Sequence, residues 1–494
     1  MRVPEDSVAA NAYDQVRYPG APQSSSHPAR MSALACLYGR SFVSQSQCRV
    51  LEAGCGDGTN LLSMAATAPQ SRFVGFDLAE SAIEKARATA ATAGLTNVEF
   101  SVMDIEDASE ALGEFDYIIA HGVYAWVPAP VRDALMRLIG RALTPSGLAF
   151  VSYNAMPASR MRQIVRDILR DRVHGITDVA ETFAAAKECM EFHAAIWSQD
   201  DALRNAMREQ MLALLQRPPE VLFHDEMGEI FEPQFVSRVA AHAETHGLQY
   251  LCDCSPGLNS EAFFPSVENK ELRERAHGDW VRYEQLHDYV KLVRFRQTIL
   301  CRDNGGIDRR TEWTRVRQLH AQGRIVREEG KNPDVFVFRV DKGEASGHIS
   351  TNDAELAALI SRIGAADPGA IPLENAITSP KIAEAILRLF LAGSLSLQTE
   401  RFAFTLAPCE RPATHPLLRA QVLRGEKRLA SLRHTAVDIT DPESRHFIGL
   451  LDGTRTRSEL ATEMARFTGV PTADIAAKLD DVLNGLARSA LLVR

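Results

Sequence analysis

The chain has 494 residues and a formal net charge of −9. This length is sufficient for about two to four domains with a sizeable core. The negative net charge argues against nonspecific attraction to nucleic acid or anionic membrane. We find neither a long charge-free apolar run, as a membrane-spanning helix requires, nor the basic start of a secretory signal. The eight cysteines are scattered, and Cys252-x-Cys254 lacks the second pair typical of zinc sites. We therefore expect reduced thiols, a cytoplasmic location and no metal site.

The first 48 residues form a leader that begins with polar and aromatic residues. It contains YDQVRYP at 13–19 and then His27-Pro28, and Pro19, Gly20 and Pro22 keep it extended. A helix is predicted over about 29–39. The two tyrosines of the leader either pack on the domain surface or belong to a lid over a ligand.

Residues 49–58 read RVLEAGCGDG, an apolar strand that is followed by alternate glycines at 54, 56 and 58. Such glycines permit a sharp turn and let a ligand approach the main chain. A dinucleotide-binding fold begins similarly, but its third glycine would fall at Thr59. Glu52 also stands where it would repel a pyrophosphate and would attract an α-amino group.

Further predicted strands alternate with helices along the next hundred residues. Strands are expected at 72–78, 98–103, 115–120 and 148–153, and a helix at 80–93 that ends at Gly94. Short links between strand and helix favour a parallel, doubly wound sheet, in which ligands bind beyond the carboxyl ends of the strands. Glu52, Asp77, Asp104 and His121 all fall at those ends, where Asp77 suits ribose hydroxyls.

Residues 158–217 have a helical pattern without a strand, which predicts a helical insertion. Because such an insertion often buries its outer face against a partner, we hypothesise that it dimerises. A helix is then predicted at 235–247, followed by strands at 248–252 and 295–301. These two strands suit an antiparallel pair that completes the sheet, so that the catalytic domain extends to about 305.

The remaining residues, about 306–494, contain a weak internal sequence similarity. Residues 391–397 (LAGSLSL) resemble 486–492 (LARSALL), and each segment follows an amphipathic helix. Helices that end in a short strand suggest two winged-helix-like units. Their basic residues, such as Arg455 and Arg457, are interleaved with acids such as Asp452 and Glu459. This mixture favours protein contact over DNA binding.

The set EAGCGDG, Asp77 and Asp104-Ile105 resembles the class I S-adenosylmethionine-dependent methyltransferases. Several other segments resemble a narrower group, the bacterial methyltransferases with a regulatory domain and a winged-helix C-terminus, which include rickettsial protein-lysine methyltransferases of outer-membrane protein. These segments are YDQVRYP, AHGVYAWVP (120–128), SYNAMP (152–157), HGLQYL (246–251), RFRQTILC (294–301) and LLDGTRTRSEL (450–460). In that group SYN-x-x-P usually continues with Gly-Trp, whereas this chain has Ala158-Ser159.

The resemblance implies an α/β fold with a Rossmann-like class I methyltransferase sheet, a helical insertion and an α+β C-terminal region. The expected domains are 1–157 (leader and cofactor-binding core), 158–305 (insertion and completion of the sheet), 306–415 and 416–494 (winged-helix-like units). The residues expected to bind S-adenosylmethionine are Tyr18, Glu52, Gly54, Cys55, Gly56, Asp77, Leu78, Asp104, Ile105 and His121.

Methyl transfer from a sulfonium mainly requires alignment and an uncharged nucleophile. Uncharging a lysine at pH 7 costs about 4–5 kcal/mol, which burial and a nearby cation reduce. Aromatic faces can hold a sulfonium or a methylated ammonium. The candidates for this surface are Tyr13, Tyr18, Tyr124, Trp126 and Tyr153, and the predicted catalytic residues are His121, Tyr124, Trp126, Tyr153 and Asn154.

The leading hypothesis is a cytoplasmic protein-lysine N-methyltransferase that uses its C-terminal half to hold a protein substrate. One alternative is a small-molecule methyltransferase in which that half serves oligomerisation. Another is a cofactor-binding regulator without turnover. Because the chain has Ala158-Ser159 in place of the usual Gly-Trp, the resemblance does not identify the substrate.

Overall fold

A computed structural model describes residues 12–310, 312–341 and 346–494. The start of the predicted leader, 1–11, lies outside the described residues. Within the described ranges, no helix is both long enough and apolar enough to cross a bilayer.

The centre of the fold is a seven-stranded sheet in the order β3-β2-β1-β4-β5-β7-β6. Its strands are β1 (Arg49–Ala53), β2 (Arg72–Asp77), β3 (Val98–Val102), β4 (Phe115–Ala120), β5 (Leu143–Asn154), β6 (Leu248–Asp253) and β7 (Phe295–Arg302). The first five strands are parallel, and β7 is antiparallel to both β5 and β6. The predicted parallel sheet and the antiparallel pair that completes it, β6 and β7, are confirmed.

Helices cover both faces of this sheet, so its central strands are apolar along most of their length. The helices are α1 (Ala12–Gln15), α2 (Pro28–Leu37), α3 (Thr59–Thr67), α4 (Glu80–Ala93), α5 (Ala129–Ala142), α6 (Arg160–Val173), α7 (Val179–Ile196), α8 (Ala202–Leu214), α9 (Pro219–Met227), α10 (Val236–Glu244), α11 (Ser260–Phe263), α12 (Lys270–Ala276) and α13 (Trp280–Lys291). One hydrophobic core joins the sheet to α2, α3 and α4, and a second joins it to α5 and α10.

The helical insertion is present between β5 and β6. Residues 158–217, all of them described, contain α6, α7 and α8 and no strand. These helices share a core of their own with α9. The sequence pattern did not predict α9, which begins at Pro219, a residue well suited to the first helical turn.

The C-terminal region contains short sheets and seven helices among its described residues. The strands are β8 (His320–Gln322), β9 (Ile325–Glu328), β10 (Phe336–Asp341), β11 (Ser346–Thr351), β12 (Ile371–Pro372), β13 (Ser396–Gln398), β14 (Arg428–Ala430) and β15 (Ala436–Asp438), and the helices are α14 (Trp313–Arg317), α15 (Ala354–Ala366), α16 (Pro380–Leu391), α17 (Pro416–Leu423), α18 (Pro442–Leu450), α19 (Arg457–Thr468) and α20 (Thr472–Arg488). The middle unit shares its core with α2 of the sheet domain, whereas α18, α19 and α20 build a separate core.

Candidate functional site

The parallel strands bring the predicted site residues to one edge of the sheet, which we call the carboxyl edge. Asp77 is the last residue of β2, and Asn154 is the last residue of β5. Glu52 lies one residue before the end of β1, Asp104 follows β3 and His121 follows β4. Residues far apart in sequence therefore face one region beyond the sheet, as expected for a ligand site of this fold class.

The glycine loop 54–58 is a tight backbone turn. Gly54, Gly56 and Gly58 all have positive φ angles, of 71°, 53° and 71°. A Cβ atom built on Gly56 would meet no described atom within 4 Å, whereas one on Gly58 would lie 2.6 Å from the ring of Phe100. Gly58 thus allows close packing, and Gly56 presents bare main chain. Cys55 is buried, so it contributes its backbone to the loop rather than its thiol.

Glu52 is a buried carboxylate with an unused hydrogen-bonding capacity. Its Oε1 accepts from Nδ2 of Asn60 at 2.9 Å. In the part of the chain that the structure describes, no group hydrogen-bonds to Oε2. The pKa of Glu52 is raised to about 8, chiefly by burial. The hydrogen bond from Asn60 lowers this pKa, whereas the charges of Asp77 and Asp57 raise it further. A cationic ligand group placed here would relieve this unfavourable burial.

Asp77 fixes the loop and still has acceptor capacity. Its two carboxylate oxygens accept from the backbone N–H groups of Gly56 at 2.8 Å and Ala79 at 2.9 Å. Each carboxylate oxygen can accept a second hydrogen bond, which suits a pair of ribose hydroxyls. Beside it, the apolar side chains of Leu78 and Val102 are 57% and 44% exposed. An exposed apolar surface next to a ribose-binding acid suits a flat base.

On the neighbouring strand, Asp104 accepts from the N–H of Glu106 at 2.9 Å and so begins a short turn that contains Ile105. The side chain of Ile105 is half-buried against the second core. The predicted set of cofactor-binding residues thus fits S-adenosylmethionine by its chemistry. Glu52 would hold the α-amino group, Asp77 the ribose, and Leu78 with Ile105 the adenine.

The leader crosses the carboxyl edge as a strap. Asp14 accepts from the N–H of Ser81 at 3.0 Å, and the carbonyl of Val16 lies 2.6 Å from Nε2 of His224 in α9. The ring of Tyr13 stacks on His224 with centroids 4.2 Å apart. A Cβ atom on Gly20 would lie 2.0 Å from Oδ1 of Asp57, so the leader passes directly over the glycine loop. Of the two interpretations of the leader, this geometry favours the lid.

The two tyrosines of the strap have polar surroundings. Burial, followed by the charge of Asp77, raises the pKa of Tyr13 to about 12. Burial also raises the pKa of Tyr18, and Asp225 of α9 adds to the effect by its charge and a hydrogen bond. Both rings remain partly exposed. The strap and α9 therefore bring an aromatic surface and an acid, Asp225, to the same border of the site, where Asp225 also pairs with Arg162 and Arg217.

His121 is held in a neutral state. Its Nδ1 lies 3.0 Å from Oγ of Ser152, and the same oxygen accepts from the N–H of Gly122 at 2.9 Å. This contact fits the tautomer in which the Ser152 hydroxyl donates to Nδ1 of His121 and Nε2 carries the hydrogen. Burial lowers the pKa of His121 to about 4. The ring is therefore suited to orient a ligand rather than to take up a proton.

Asn154 offers an acceptor at the end of β5. It is 7% exposed, and its backbone carbonyl accepts from the N–H of Gln234 at 2.9 Å. No described residue donates to its side-chain Oδ1. A buried, unused amide oxygen costs free energy unless a ligand provides a donor.

Tyr124 and Tyr153 are placed in the core, not on the surface of the site. The hydroxyl of Tyr124 lies 2.7 Å from Nδ1 of His242 in α10. The hydroxyl of Tyr153 lies 2.9 Å from Oγ1 of Thr298 in β7. Tyr153 faces away from Ser152 and Asn154 because side chains alternate along a strand. The two tyrosines therefore position the loop after β4 and the end of β5 through their packing.

Trp126 lies in a rim of the site that the sequence did not reveal. Its ring packs against Phe231 with centroids 5.0 Å apart, and the guanidinium groups of Arg162 and Arg166 lie 5.3 and 5.4 Å from its centroid. Arg162 also pairs with Glu226 at 2.7 Å. These partners come from α6, α9 and the segment that follows α9, so only the fold brings them together.

A second connection that the sequence did not reveal joins the C-terminal region to Glu52. His434, in the turn between β14 and β15, places Nε2 2.9 Å from Oδ1 of Asn60 and Nδ1 3.0 Å from Oγ of Ser63. Asn60 in turn donates to Glu52. Nearby, Lys85 lies 2.8 Å from Asp57 of the glycine loop and 2.6 Å from Glu426. The C-terminal region thus supports the glycine loop and Glu52 through Lys85 and Asn60.

Models of three domain families match successive parts of the chain. A methyltransferase domain matches residues 44–210, a predicted methyltransferase regulatory domain matches 218–302, and the PKMT C-terminal winged helix domain matches 410–477. The chain is 30% identical over 220 residues to an uncharacterized protein of Rickettsia prowazekii. The match covers 44% of this chain and 88% of that protein. The chain belongs to the S-adenosylmethionine-dependent methyltransferases with a regulatory domain and a winged-helix C-terminal domain.

A second uncharacterized Rickettsia prowazekii protein is 32% identical over 300 residues, which are 60% of this chain and 54% of that protein. The chain thus spans about half the length of this relative. Two solved structures of PKMT2 from Rickettsia typhi, the second in complex with AdoHcy, match with TM-scores of 0.83 and 0.84 at 23% and 22% identity. Each match covers 97% of this chain and 100% of that chain. These structures establish that the fold is shared over nearly the whole length.

Proposed function

We propose that this protein is a protein-lysine N-methyltransferase that uses S-adenosylmethionine. The observation that carries the proposal is the joining, in one chain, of a carboxyl edge that fits this cofactor to a C-terminal domain of the PKMT type. The fold shared with PKMT2 of Rickettsia typhi supports it. The C-terminal half would then hold a protein substrate.

Bound S-adenosylmethionine supplies an electrophilic methyl group on a sulfonium. The chain's own residues align the acceptor and exclude water. The rings of Tyr18 and Trp126 cover the apolar stem of the incoming lysine, while Asp225 is already paired with Arg162 at 3.2 Å and Arg217 at 3.5 Å. Asn154 accepts a hydrogen bond from the amine through Oδ1. Since His121 is neutral, its Nε2–H orients the reactants, and the lysine proton leaves to solvent before transfer.

Incubation of the protein with methyl-labelled cofactor and a cell lysate tests the proposal. We expect label in protein bands and methyl-lysine after hydrolysis of those bands. Label only in small molecules would instead support a small-molecule methyltransferase, and no label would support a regulator without turnover. Asp77→Ala serves as the control, because it should abolish cofactor binding under each of these functions.

Asn154→Ala tests the assigned acceptor. We expect kcat to fall about tenfold, as the loss of one hydrogen bond to a reacting group implies, while the Kd of the cofactor is unchanged. Ser152→Ala is the matched control on the same strand face. It removes the hydrogen bond to His121 and keeps the Oδ1 acceptor of Asn154. An Asn154→Ala enzyme with wild-type kcat would contradict the assignment.

We also propose that the helical insertion mediates a homodimer. Four large apolar side chains of α6, α7 and α8 are exposed, namely Ile164, Phe192, Ile196 and Leu203. Sedimentation at micromolar concentration should give a dimer that Phe192→Glu converts to a monomer. A monomeric wild-type protein would refute this proposal.

The cytoplasm is the proposed location, and free thiols support it. All eight cysteines are unpaired in the structure, and six of them are buried. Fractionation of cells that express the full chain should recover it with cytoplasmic markers. Recovery with extracytoplasmic proteins would contradict the proposal.

A further inference from the structure

Three ligand-type side chains meet where α5 packs against α10. Nε2 of His242 lies 3.3 Å from Oδ1 of Asp133, and Nε2 of His246 lies 3.2 Å from the same oxygen. The three atoms are all within 4.8 Å of one another. This is the one such convergence of three His, Cys, Asp or Glu side chains within the described residues.

Local structure explains the convergence. His242 and His246 are four residues apart, so a helical turn places them on one side of α10 and its end. A Cβ atom on Gly140 of α5 would lie 2.4 Å from the backbone oxygen of His246. Glycine at this position therefore allows the end of α10 to approach α5 closely enough for both histidines to reach Asp133.

The spacing of these atoms suits a tetrahedral metal ion. With zinc–nitrogen and zinc–oxygen bonds of about 2.0–2.2 Å, neighbouring ligand atoms are about 3.3–3.5 Å apart. Both histidine-to-aspartate distances fall close to this value. Two imidazoles and one carboxylate, with water in the fourth position, form a common zinc ligand set. The side chains of His242, His246 and Asp133 are 24%, 18% and 52% exposed, which leaves a path for entry from solvent.

The surroundings also provide an outer partner. Nδ1 of His242 lies 2.7 Å from the hydroxyl of buried Tyr124. Such a hydrogen bond on the second nitrogen fixes the orientation of a ligating histidine. The other oxygen of Asp133 lies 3.2 Å from Nη2 of Arg137, which leaves Oδ1 for a metal and reduces the negative charge of the site.

We propose that Asp133, His242 and His246 form a binding site for a divalent metal ion of the zinc type. The ion would fasten the regulatory region, which supplies both histidines, to the methyltransferase domain, which supplies Asp133. Through Tyr124, the site is also connected to the loop that follows β4. Local sequence spacing does not reveal this site, since Asp133 and His242 are 109 positions apart.

Titration of the untagged, metal-free full chain with zinc and cobalt(II) tests this proposal. We expect one equivalent of cobalt(II) to give the visible absorption of a tetrahedral complex, and zinc to displace it and raise the Tm. His246→Gln and Asp133→Asn should each weaken zinc binding about tenfold or more, whereas His348→Gln, at an exposed histidine outside the cluster, should leave it unchanged.

Tyr124→Phe adds a second test that does not remove a ligand. It deletes only the outer hydrogen bond of His242, so we expect zinc affinity to fall about tenfold. Equal zinc affinity in the wild type, His246→Gln and Asp133→Asn would overturn the proposal. Absence of both the cobalt(II) spectrum and the zinc-dependent rise in Tm would also overturn it.

Discussion

Glu52 and Asp288 are both buried acidic side chains in the sheet domain, but only Asp288 has a cation beside it. Arg296 of β7 places Nη2 2.6 Å from Asp288 and Nη1 2.7 Å from Glu284, and Asp253 lies 3.8 Å away. Glu52 has the amide of Asn60 as its partner, and the charges around it are those of Asp77 and Asp57. The buried acids around Arg296 fasten α13 to β6 and β7.

The difference separates groups that hold the fold from groups prepared for a ligand. A buried charge is costly unless a partner compensates it. Around Arg296 the chain itself provides the compensation. At the carboxyl edge, Oε2 of Glu52 and Oδ1 of Asn154 have no donor among the described residues. We infer that stability depends on the first region and ligand affinity on the second.

Loss of the Arg296 side chain should have the largest effect on stability. Arg296→Met leaves three buried acids without their cation, and we expect the free energy of unfolding to fall by about 3–5 kcal/mol. Denaturant unfolding followed by circular dichroism measures it. Arg72→Met, which removes the exposed pair with Glu99, should cause little change. Similar losses in both variants would contradict the assigned role of Arg296.

Glu52→Gln, unlike Arg296→Met, should lower the affinity for the cofactor rather than the stability of the fold. It keeps the shape of the side chain but cannot ionise to pair with a cationic ligand, so cofactor affinity should fall roughly 10–100-fold, as for a charge-assisted hydrogen bond. The free energy of unfolding should stay constant or rise, because an unpaired buried acid is removed. Calorimetric titration and thermal unfolding measure the two effects. Unchanged affinity would place the amino group of the cofactor elsewhere.

The pH dependence of Glu52 sharpens this contrast. Its pKa rises from 4.5 to about 8 on folding, so between these values the folded protein retains a proton that the unfolded chain has released. Stability without cofactor should therefore fall as the pH rises through this window. Pairing with a cationic ligand requires release of that proton, so cofactor affinity should increase by up to about tenfold per pH unit below pH 8.

Calorimetry between pH 6 and 7 checks this expectation, because the α-amino group of the ligand remains largely protonated there. Binding should release about one proton per cofactor in buffers of different ionisation enthalpy. The Glu52→Gln variant is the control and should show neither the slope nor the proton release. A wild-type affinity that is independent of pH would refute the assigned state of Glu52.

The smallest effect is expected at His434, which acts on Glu52 only through Asn60. His434→Asn keeps a residue that tolerates the positive φ of 57° at this position. Losing its hydrogen bond to Asn60 should weaken cofactor binding roughly two- to tenfold. His446→Asn, in the same C-terminal domain but stacked on Phe467, should bind normally. Equal affinity in both variants would limit His434 to a structural role.

Local sequence features predicted the strands and helices of the first 155 residues well. The helix expected at 80–93 is α4, and Gly94 ends it in a left-handed conformation. The fourth strand matches at 115–120, while β5 begins at Leu143, five residues before the predicted start. The half-buried polar residues Thr144 and Ser146 and the exposed Pro145 hid its first part, because they interrupt the apolar run that predicts a buried strand.

The sequence by itself determined the class of protein, because strand ends, glycines and acids are local features with a fixed relation in a parallel sheet. Tertiary structure alone decided which polar groups are paired. It buried Tyr124 and Tyr153, brought Arg162 to Trp126, and joined His434 to Asn60 across 374 positions. Hydrogen bonds and burial depend on which surfaces pack together, and such long-range packing leaves no periodic trace in the chain. The glycine turn after β1 could therefore be predicted from the sequence, whereas its support by the C-terminal region could not.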